Sequence, residues 1–556
     1  MSSEKMRGEG KRILIAGGGA GGAACAARAR RLDERASIVI FERGPFVSFA
    51  NCGLPYYVGN VIQKQESLLV ATPEKWQGYF NVEIRTLSEV VGIDWHEQTI
   101  SVRELGTGHV YGERYDALVL APGAQEPCLR LPGADLPGIF TLQTIPQSER
   151  IRQWIETRKP QQAVVVGAGL AGLEMAENLV NRGLKVTILE MLPQIAPVLD
   201  PEMSEPVCRH LESHRVVVHV RERVCGFEGD AEGVCQVRTE SGTAFPAALV
   251  FLGMGVQPDT TLAQRAGLEI GATGGIRVDG SLRTSDSRIW AVGDAVQVDD
   301  VVTGLQCVVP LAGLASRQGR VAADSICGRG SKFRGTQATA VCGFFGMTIA
   351  VTGATQKTLR QAGITNYDVV YLHPDSHATY YPGGRPIHLK LIFSTPQGRI
   401  LGAQAVGEDG VEKRIDVIAM AIQKQATVFD LEECELCYAP QYGAARDPVN
   451  LAGMVAANVL RGDVKLASWP QLGETQALIL DVREPHEYAA DHIEGAVNVP
   501  LTQLRERLSE LPREREIWTS CGMGERSYYA SRILAQNGFA VRNLSGGYLT
   551  YWGWNP

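Results

Sequence analysis

The cysteine at position 52 stands in a segment whose residue types suggest thiol chemistry, S-F-A-N-C-G-L-P-Y-Y at residues 48–57. The segment follows a predicted strand at residues 37–42, and its Gly and Pro mark it as a loop. A thiolate in an accessible loop is a nucleophile and a redox group, whereas a thiol buried in a core is inert packing. Position alone leaves both interpretations open for Cys52.

A second cysteine with chemical potential is Cys521, which opens the segment C-G-M-G-E-R-S at residues 521–527. It follows a predicted strand at residues 516–519 and precedes a predicted helix, so backbone N–H groups and Arg526 would favour the thiolate. The same donors would stabilise the terminal sulfur of a persulfide. Four residues separate Cys521 from Arg526, whereas phosphatases with a similar Cys-to-Arg loop have five and so form a larger cradle for phosphate. The shorter loop favours sulfur transfer over phosphate hydrolysis, and an inactive scaffold is the alternative.

The element before Cys52 has the pattern of a dinucleotide-binding turn. A strand at residues 11–15 leads into G-G-G-A-G-G at residues 17–22 and an Ala-rich helix that extends to Leu32. Glycines permit a tight turn and close approach of the backbone to a pyrophosphate at the helix N-terminus. Glu42, at the end of the next strand, is an acid that could bind the ribose hydroxyls.

The same pattern occurs a second time. A strand at residues 163–166 is followed by G-A-G-L-A-G at residues 167–172, a helix at residues 173–182 and a strand at residues 186–189 that ends in Glu190. Two complete patterns predict two bound dinucleotides. Glu190, followed by Met191 rather than Arg, would repel a 2′-phosphate, which favours NADH over NADPH.

Two further strand ends could complete a flavin site. Residues 115–123 read Y-D-A-L-V-L-A-P-G, a strand that enters a tight turn, and residues 289–295 read I-W-A-V-G-D-A. The Asp at the second strand end could accept a hydrogen bond from a ribityl hydroxyl. A predicted helix at residues 310–323 would direct its N-terminal dipole toward a flavin.

Length and composition set the broad class. The 556 residues predict three or four domains at ~150 residues each. The net charge of −7 gives no general case for nucleic-acid binding, and no apolar run approaches the ~18 residues of a membrane span. A polar N-terminus without the apolar core of a signal peptide, and twelve scattered cysteines, lead to the expectation of a cytoplasmic protein.

Taken in order, these motifs resemble the pyridine nucleotide–disulfide reductases, flavoproteins with two dinucleotide-binding domains, over residues 11–462. Residues 475–556 resemble a single rhodanese domain, through D-V-R-E-P-H-E-Y and the loop at Cys521. The resemblance implies an α/β fold with two Rossmann-like domains for FAD and NAD, an α+β dimerisation domain and a C-terminal α/β rhodanese domain. The expected boundaries are 1–120 and 256–334 for the FAD domain, 121–150 for a crossover, 151–255 for the NAD(P)H domain, 335–462 for the dimerisation domain, 463–474 for a linker and 475–556 for the rhodanese domain.

The resemblance also assigns the cofactor residues. For FAD they are Gly17, Gly19, Gly22, Glu42, Arg43, Ala121, Gly123, Gly293, Asp294, Pro310 and Ala312. For NADH, with NADPH as a possibility, they are Gly167, Gly169, Gly172 and Glu190. No metal is expected.

The cysteine pattern selects a branch of this family. Most disulfide reductases carry C-x4-C, but the corresponding position here is Tyr57, so the oxidised thiol must pair with an external sulfur. NADH oxidases and peroxidases usually place a His at the start of the first helix, whereas the first His of this chain is His96. Coenzyme A-disulfide and persulfide reductases carry S-F-x-N-C-x-L-P-Y and Tyr-Ala-Pro-x-Tyr, and this chain has both, the second at residues 438–442.

That branch implies a homodimer in which Tyr380 and Tyr438 reach the partner subunit's active site, where a phenol could donate a proton to a leaving thiolate. The alternative is that both are ordinary interface or core aromatics. The resemblance assigns coenzyme A contacts to Arg28, Arg31, Ser48 and Asn51, with Lys75 as a weaker candidate. A solvated basic helix face is the alternative for the arginines. Cys434 and Cys437 form a C-x-x-C of unknown role directly before Tyr438.

The expected function is therefore FAD-dependent reduction by NADH of persulfides, polysulfides or coenzyme A disulfide through the single thiol of Cys52. Cys521 would receive or deliver sulfane sulfur. The alternatives are a water-forming NADH oxidase and a thiol redox sensor or sulfur carrier with slow turnover.

Overall fold

The computed structural model describes residues 10–127 and 129–554. These residues form two compact units, one of residues up to 191 with residues 222–338, the other of residues 192–221 with residues 339 onward. Each unit is described by itself. None of the described helices combines the length and the apolar character that crossing a bilayer requires.

The first unit is built on two parallel sheets. One has the strand order Ile289–Ala291, Ala117–Leu120, Arg12–Ala16, Ser37–Phe41 and Glu83–Arg85. In the other, four neighbouring strands of this unit are Lys185–Glu190, Gln162–Val166, Leu249–Leu252 and Ile139–Phe140. The central strands are continuous runs of buried Ile, Leu and Val, as expected where helices cover both faces of a parallel sheet.

The remaining elements of this unit are shorter. Its helices are Ala20–Leu32, Leu54–Val58, Pro73–Phe80, Ile145–Arg158, Leu170–Asn181, Thr261–Arg265 and Ala312–Ile326, with 3₁₀ turns at Asn51–Gly53 and Gln65–Leu68. Its antiparallel ladders join Ser88–Asp94, Thr99–Glu104 and Val110–Arg114; Val224–Asp230, Gly233–Thr239 and Ala244–Pro246; Ala124–Gln125 with Gln257–Pro258; and Val298–Asp299 with Gln306–Cys307.

The second unit begins with an antiparallel sheet. Its strand order is Ala340–Phe344, Met347–Gly353, Ile400–Gly407, Ile387–Ser394 and Tyr367–Leu372. The helices around it are Pro201–Ser213, Gln356–Gln361, Val411–Gln423, Val428–Glu433 and Pro448–Leu460, and a further strand is Val217–Val220. The first two strands form a hairpin.

The C-terminal part of this unit is a smaller parallel sheet. Its strand order is Val497–Asn498, Leu478–Asp481, Ile517–Ser520 and Val541–Asn543. Its helices are Pro485–Ala490, Leu501–Leu504, Glu525–Gln536 and Gly547–Trp554, with 3₁₀ turns at Trp469–Glu474 and Leu508–Glu510. These sheets and helices confirm the predicted α/β class with Rossmann-like parallel sheets; the individual domain boundaries stay predictions.

The segment expected as a linker is ordered against the last sheet. Ala467 donates its backbone N–H to the carbonyl of Asn543 at 2.9 Å, and Asn543 donates in return to Lys465 at 2.8 Å. Trp469 is buried, and its indole donates to the carbonyl of Ser545 at 3.0 Å. The sequence predicted only a linker at residues 463–474, because the strand that this segment contacts, Val541–Asn543, lies far along the chain.

A buried polar cluster, which we call the lysine cluster, lies inside the second unit. The ammonium of Lys390, 0% exposed, donates to Asp200 at 2.7 Å and to Glu202. Tyr371 donates its hydroxyl to the same Glu202 at 2.8 Å and its backbone N–H to the hydroxyl of Ser545 at 2.9 Å. Burial and the neighbouring carboxylates raise the pKa of Tyr371, so it stays a neutral donor.

Helix Gly547–Trp554 packs beside this cluster. Thr550 shares a 2.9 Å hydrogen bond with His373, and Trp552 stacks on the guanidinium of Arg209 at 4.4 Å. Gly553 lies so close to the backbone of Glu202 that a Cβ there would come within 2.3 Å of its carbonyl oxygen. The C-terminal sheet is therefore packed on the antiparallel sheet through shared buried polar groups.

Candidate active site

Residues 48–57, which we call the thiol loop, form a fixed platform for Cys52. Cys52 is the middle residue of a 3₁₀ turn, and its side chain is exposed. Ser48 donates its backbone N–H to Gly18 at 3.1 Å, and Val70 donates in turn to Ser48 at 2.9 Å. Leu54 is buried in an apolar cluster with Ile145. The loop thus joins the first glycine turn to the apolar core and presents the thiol outward.

The position of a second redox cysteine is filled by a structural tyrosine. Tyr57 is buried, its hydroxyl donates to Glu149, and the guanidinium of Arg152 lies 4.2 Å from its ring centre. These contacts explain why a side chain of this size is fixed at that position. Cys52 has no neighbouring cysteine in the thiol loop with which to form an internal disulfide.

The surroundings of Cys52 oppose its ionisation. Partial loss of hydration raises the pKa of the thiol first, and the negative charges of Glu174 and, more weakly, Asp294 raise it further. A backbone hydrogen bond acts in the opposite direction. In the chain by itself these surroundings favour the neutral thiol over the thiolate.

The first glycine turn has the geometry of a phosphate cradle. Gly17 has φ +107°, and a Cβ there would lie 2.1 Å from the carbonyl oxygen of Ala121. A Cβ on Gly22 would lie 2.0 Å from the carbonyl oxygen of Gly17, whereas one on Gly19 would meet nothing within 4 Å. Two glycines are thus required for packing, and the third leaves open space at the helix start. Glu42 accepts hydrogen bonds from the backbone N–H of Gly18 at 2.9 Å and of Gly44 at 2.7 Å.

The second turn repeats this geometry. Gly167 has φ +101°, a Cβ on Gly172 would lie 2.1 Å from the carbonyl oxygen of Gly167, and one on Gly169 would meet nothing within 4 Å. Glu190 accepts from the backbone N–H of Ala168 at 2.8 Å. Each turn therefore has one glycine, Gly19 or Gly169, with free space around it, and an acid at the end of the next strand. A bound dinucleotide requires this arrangement.

The strand end at Gly293 adjoins the first turn. Gly293 has φ +86° and donates its N–H to the amide oxygen of Gln318 at 2.6 Å. Burial raises the pKa of Asp294. The buried Nε2 of Gln318 has no hydrogen-bond partner among the described residues, which suits a site completed by a ligand.

The other residues predicted for FAD lie around these strand ends. Pro310 and Ala312 are exposed at the start of helix Ala312–Ile326, whose first turn has no side-chain cap. Gly123 accepts a hydrogen bond from the backbone of Asp259 at 3.1 Å, and Arg43 forms an ion pair with the same residue at 3.2 Å. The open glycine, the uncapped helix and the unpartnered amide together fit a dinucleotide such as FAD.

The residues predicted for coenzyme A differ in their availability. Arg28 is largely buried and forms a 2.7 Å ion pair with Asp324, so its charge is already compensated. The hydroxyl of Ser48 is buried and accepts from the indole of Trp76 at 3.2 Å. Three predicted residues present exposed side chains, Arg31, Asn51 and Lys75. Their role in coenzyme A binding stays a prediction.

In the second unit the structure brings Tyr380 and Tyr438 together. Their hydroxyls share a hydrogen bond, although 72% and 48% of the side chains are exposed. This hydrogen bond raises the pKa of Tyr380. Two tyrosines that are far apart in sequence thus form one exposed pair of phenols.

Arg414, which sequence reasoning missed, links the two segments that carry Tyr380 and Tyr438. It is 1% exposed, and it donates to the carbonyl of Ser376 at 2.6 Å and to the carboxylate of Asp447 at 2.9 Å. Ala378 in addition donates its backbone N–H to Gly443 at 2.9 Å. No sequence motif marks Arg414, because its role depends on contacts between segments distant along the chain.

The two cysteines of the C-x-x-C beside Tyr438 differ in their surroundings. The cysteine nearer the helix, Cys434, accepts hydrogen bonds from the amide of Asn450 at its carbonyl, 2.8 Å, and at its sulfur, 3.6 Å. Burial raises the pKa of Cys434, while Cys437 is exposed. Among residues 10–127 and 129–554 no cluster of His, Cys, Asp and Glu could hold a metal ion.

Cys521 lies four residues before the first residue of helix Glu525–Gln536. Its side chain is buried, and its sulfur accepts the backbone N–H of Gly524 at 3.1 Å and donates to the hydroxyl of Ser527 at 3.5 Å. Arg526 forms a two-bond ion pair with Glu487. The backbone N–H of Gly524 thus points at the sulfur of Cys521, whereas the charge of Arg526 is already paired, and the role of both residues in sulfur transfer stays a prediction.

Three parts of the chain match known protein families. Residues 11–319 match the family described as pyridine nucleotide-disulphide oxidoreductase, residues 339–447 match the dimerisation domain of that family, and residues 467–553 match the rhodanese-like domain. A coenzyme A disulfide reductase of Staphylococcus aureus is 34% identical over 80% of this chain and 99% of its own length.

Two solved structures cover nearly the whole chain. The reduced CoADR-RHD of Bacillus anthracis is 43% identical with a TM-score of 0.96, covering 99% of each chain. An NAD-dependent persulfide reductase from A. fulgidus is 37% identical with a TM-score of 0.91, covering 97% of this chain and 100% of its own. The resemblance inferred from the motifs is thereby confirmed, including the C-terminal rhodanese domain.

Proposed function

The chain belongs to the pyridine nucleotide-disulphide oxidoreductase family, and we propose that it reduces persulfides, polysulfides and coenzyme A disulfide at the expense of NADH. One observation carries this proposal. Cys52 is exposed in the thiol loop, and the buried Tyr57 fills the position where an internal partner cysteine would stand. A solitary thiol must take its partner sulfur from the substrate.

The cofactor sites support the same proposal. The first glycine turn, with Glu42, Gly293 and the unpartnered amide of Gln318, would hold FAD, and the turn at Gly169 would hold NADH. When bound, FAD supplies the two-electron link between the reduced nicotinamide and the oxidised thiol. Glu190 would repel a 2′-phosphate, which supports NADH over NADPH.

The chemistry at Cys52 is thiol–disulfide exchange. Its thiolate attacks the coenzyme A sulfur of the persulfide, so a Cys52–S–S–CoA bond forms, the S–S bond of the substrate breaks and HS⁻ leaves. With coenzyme A disulfide the leaving group is a coenzyme A thiolate. Two electrons and a proton then return Cys52 to the thiolate and release coenzyme A. Because the pKa of Cys52 is raised in the chain alone, bound cofactor and substrate must favour the thiolate.

We further propose that the enzyme is a homodimer in which the tyrosine pair serves the opposite active site. The match to the family's dimerisation domain supports a homodimer. The pair is exposed, and a phenol hydroxyl can donate a proton to a leaving thiolate. Arg414 would act as a positioning residue for both segments.

Replacing either tyrosine should slow the reaction. Tyr380→Phe and Tyr438→Phe each remove one hydroxyl of the pair, and we expect kcat/KM for coenzyme A persulfide to fall by roughly 10²-fold, the lower range for loss of a general acid. Steady-state NADH oxidation under anaerobic conditions measures the effect. Tyr442→Phe is the matched control, because Tyr442 is an exposed tyrosine of the same segment. If all three variants had the kcat/KM of the wild type, the pair would have no role in the reaction.

The rhodanese domain would supply or accept sulfane sulfur at Cys521. A persulfide on Cys521 could pass its outer sulfur to coenzyme A, which then becomes the substrate at Cys52. This order explains why a sulfur carrier and a thiol reductase share one chain.

A substrate panel tests the proposed function against its alternatives. We expect rapid anaerobic oxidation of NADH with coenzyme A persulfide, polysulfide or coenzyme A disulfide, and at least tenfold lower kcat/KM with NADPH. A water-forming oxidase would instead turn over only with oxygen, and a sensor or sulfur carrier would oxidise NADH slowly with every sulfur compound. Either result would reject the proposal.

A further inference from the structure

Residues 521–527, which we call the sulfur loop, have an unusual charge balance for a site that binds anions. Both terminal nitrogens of Arg526 donate to the carboxylate of Glu487, at 2.6 and 2.7 Å. This pairing lowers the pKa of Glu487 to about 2, so the carboxylate is charged across the physiological range. The guanidinium beside Cys521 is thus neutralised by its own domain.

A second arginine near the sulfur loop, Arg483, is also paired with a carboxylate. Arg483 is buried and donates to both carboxylate oxygens of Asp481, at 2.7 Å for the closest contact. Its guanidinium lies 4.6 Å from the ring centre of Tyr548, and Tyr548 donates its backbone N–H to the carbonyl of Cys521 at 2.7 Å. Neither arginine therefore offers a free positive charge to a donor that enters the loop.

The residue that follows Gly524 adds an acid at the start of the helix. Glu525 is exposed at the first position of the helix, accepts a hydrogen bond from the hydroxyl of Tyr529 at 2.7 Å, and makes no ion pair among the described residues. Arg446, also exposed, partly offsets the rise that this bond causes in the pKa of Tyr529. Met523 supplies an apolar side chain, 44% exposed, at the same loop.

Sulfane-sulfur donors differ in where they carry charge. In thiosulfate a sulfonate is bonded directly to the transferable sulfur, so it must enter the loop together with that sulfur. A persulfide on a small uncharged arm has no sulfonate beside the transferable sulfur, and the arm suits the apolar side chain of Met523.

We propose that the sulfur loop selects persulfides on uncharged arms and rejects thiosulfate, with Glu525 as a specificity-determining residue. In the transfer, the Cys521 thiolate attacks the outer sulfur of R–S–SH. The new bond gives Cys521–S–SH, the original S–S bond breaks, and RS⁻ leaves. This inference rests on the proposed function, because it assigns the donor class from which the reductase half would be supplied.

Sulfur transfer to cyanide tests the inference without the reductase. The purified holoenzyme, without NADH, is given thiosulfate or the persulfide of N-acetylcysteamine, whose only ionisable group is the persulfide, and thiocyanate is measured. We expect kcat/KM for this persulfide to exceed that for thiosulfate by roughly 10²-fold. Comparable values for the two donors would overturn the proposal.

The role of Glu525 is tested by reversing its charge. Glu525→Lys should raise kcat/KM for thiosulfate by roughly tenfold and change that for the persulfide less than about threefold, and the gain should shrink as salt is added. The matched control is Glu506→Gln, an exposed acid on the same domain that should change neither value. An unchanged thiosulfate rate in Glu525→Lys would contradict the assignment. Since NADH is absent, such a failure leaves the proposed reduction at Cys52 standing, and a failed NADH assay leaves this one interpretable.

Discussion

Substitution of Cys52 by serine is expected to lower anaerobic NADH oxidation with coenzyme A persulfide, polysulfide and coenzyme A disulfide by roughly 10³-fold or more. A hydroxyl in place of the thiol can neither attack an S–S bond nor hold a mixed disulfide. The loop itself should survive, because its shape depends on Leu54, Ser48 and Tyr57 rather than on the exposed sulfur. Rates for wild type and variant under identical conditions give the comparison.

A matched cysteine makes this result specific. Cys235 is exposed on strand Gly233–Thr239, and Cys235→Ser should retain the wild-type rate with all substrates. Thiocyanate formation by Cys521 should also persist in Cys52→Ser, which shows that the protein is folded. A Cys52→Ser enzyme that keeps its rate on all substrates would exclude exchange at this thiol.

The largest expected effect on stability comes from the lysine cluster. Lys390→Met leaves Asp200 and Glu202 buried without their cation, and loss of one partner of a buried ion pair costs about 3–5 kcal/mol. We expect the thermal unfolding midpoint to fall by roughly 10 °C. Scanning calorimetry of the holoenzyme measures it, at one fixed cofactor concentration since bound ligand also raises the midpoint.

Two comparisons separate charge from packing. Lys424→Met alters an exposed lysine of the same unit and should change stability by less than about 0.5 kcal/mol. Adding Asp200→Asn and Glu202→Gln to Lys390→Met should recover much of the loss, because neutral amides cost less to bury than carboxylates. A midpoint for Lys390→Met equal to that of Lys424→Met would mean that the cluster contributes little.

Much of the active-site framework could be predicted from sequence because its signals are local. Gly17, Gly22 and Gly172 are required by contacts with the backbone only a few residues away or on the adjacent strand, and such requirements leave a short motif. The absence of a cysteine at position 57 can likewise be read directly from the chain. By contrast, strand Ile400–Gly407 was not predicted, because its small residues and glycines give little strand signal although every residue is buried.

Long-range pairing explains what the sequence left undetermined. Arg28 was predicted to face a ligand, yet its ion-pair partner Asp324 lies 296 residues away. The contacts of Arg414 and the pairing of Arg526 with Glu487 are of the same kind. A charged side chain shows its type in the sequence, but whether its charge is free depends on partners that only the folded chain brings near.

The closure of the last helix over Glu202 has a consequence for biosynthesis. The ribosome makes Glu202 and Tyr371 long before residues 545–554, whose Ser545, Thr550 and Gly553 complete their surroundings. Throughout that interval the lysine cluster of the nascent chain has an uncovered side, so the second unit cannot complete its core until residues 545–554 are made. A chain that terminates before Ser545 would lose more than part of the rhodanese-like domain, because the lysine cluster of its second unit would keep an uncovered side, and we expect proteases to remove such a destabilised chain.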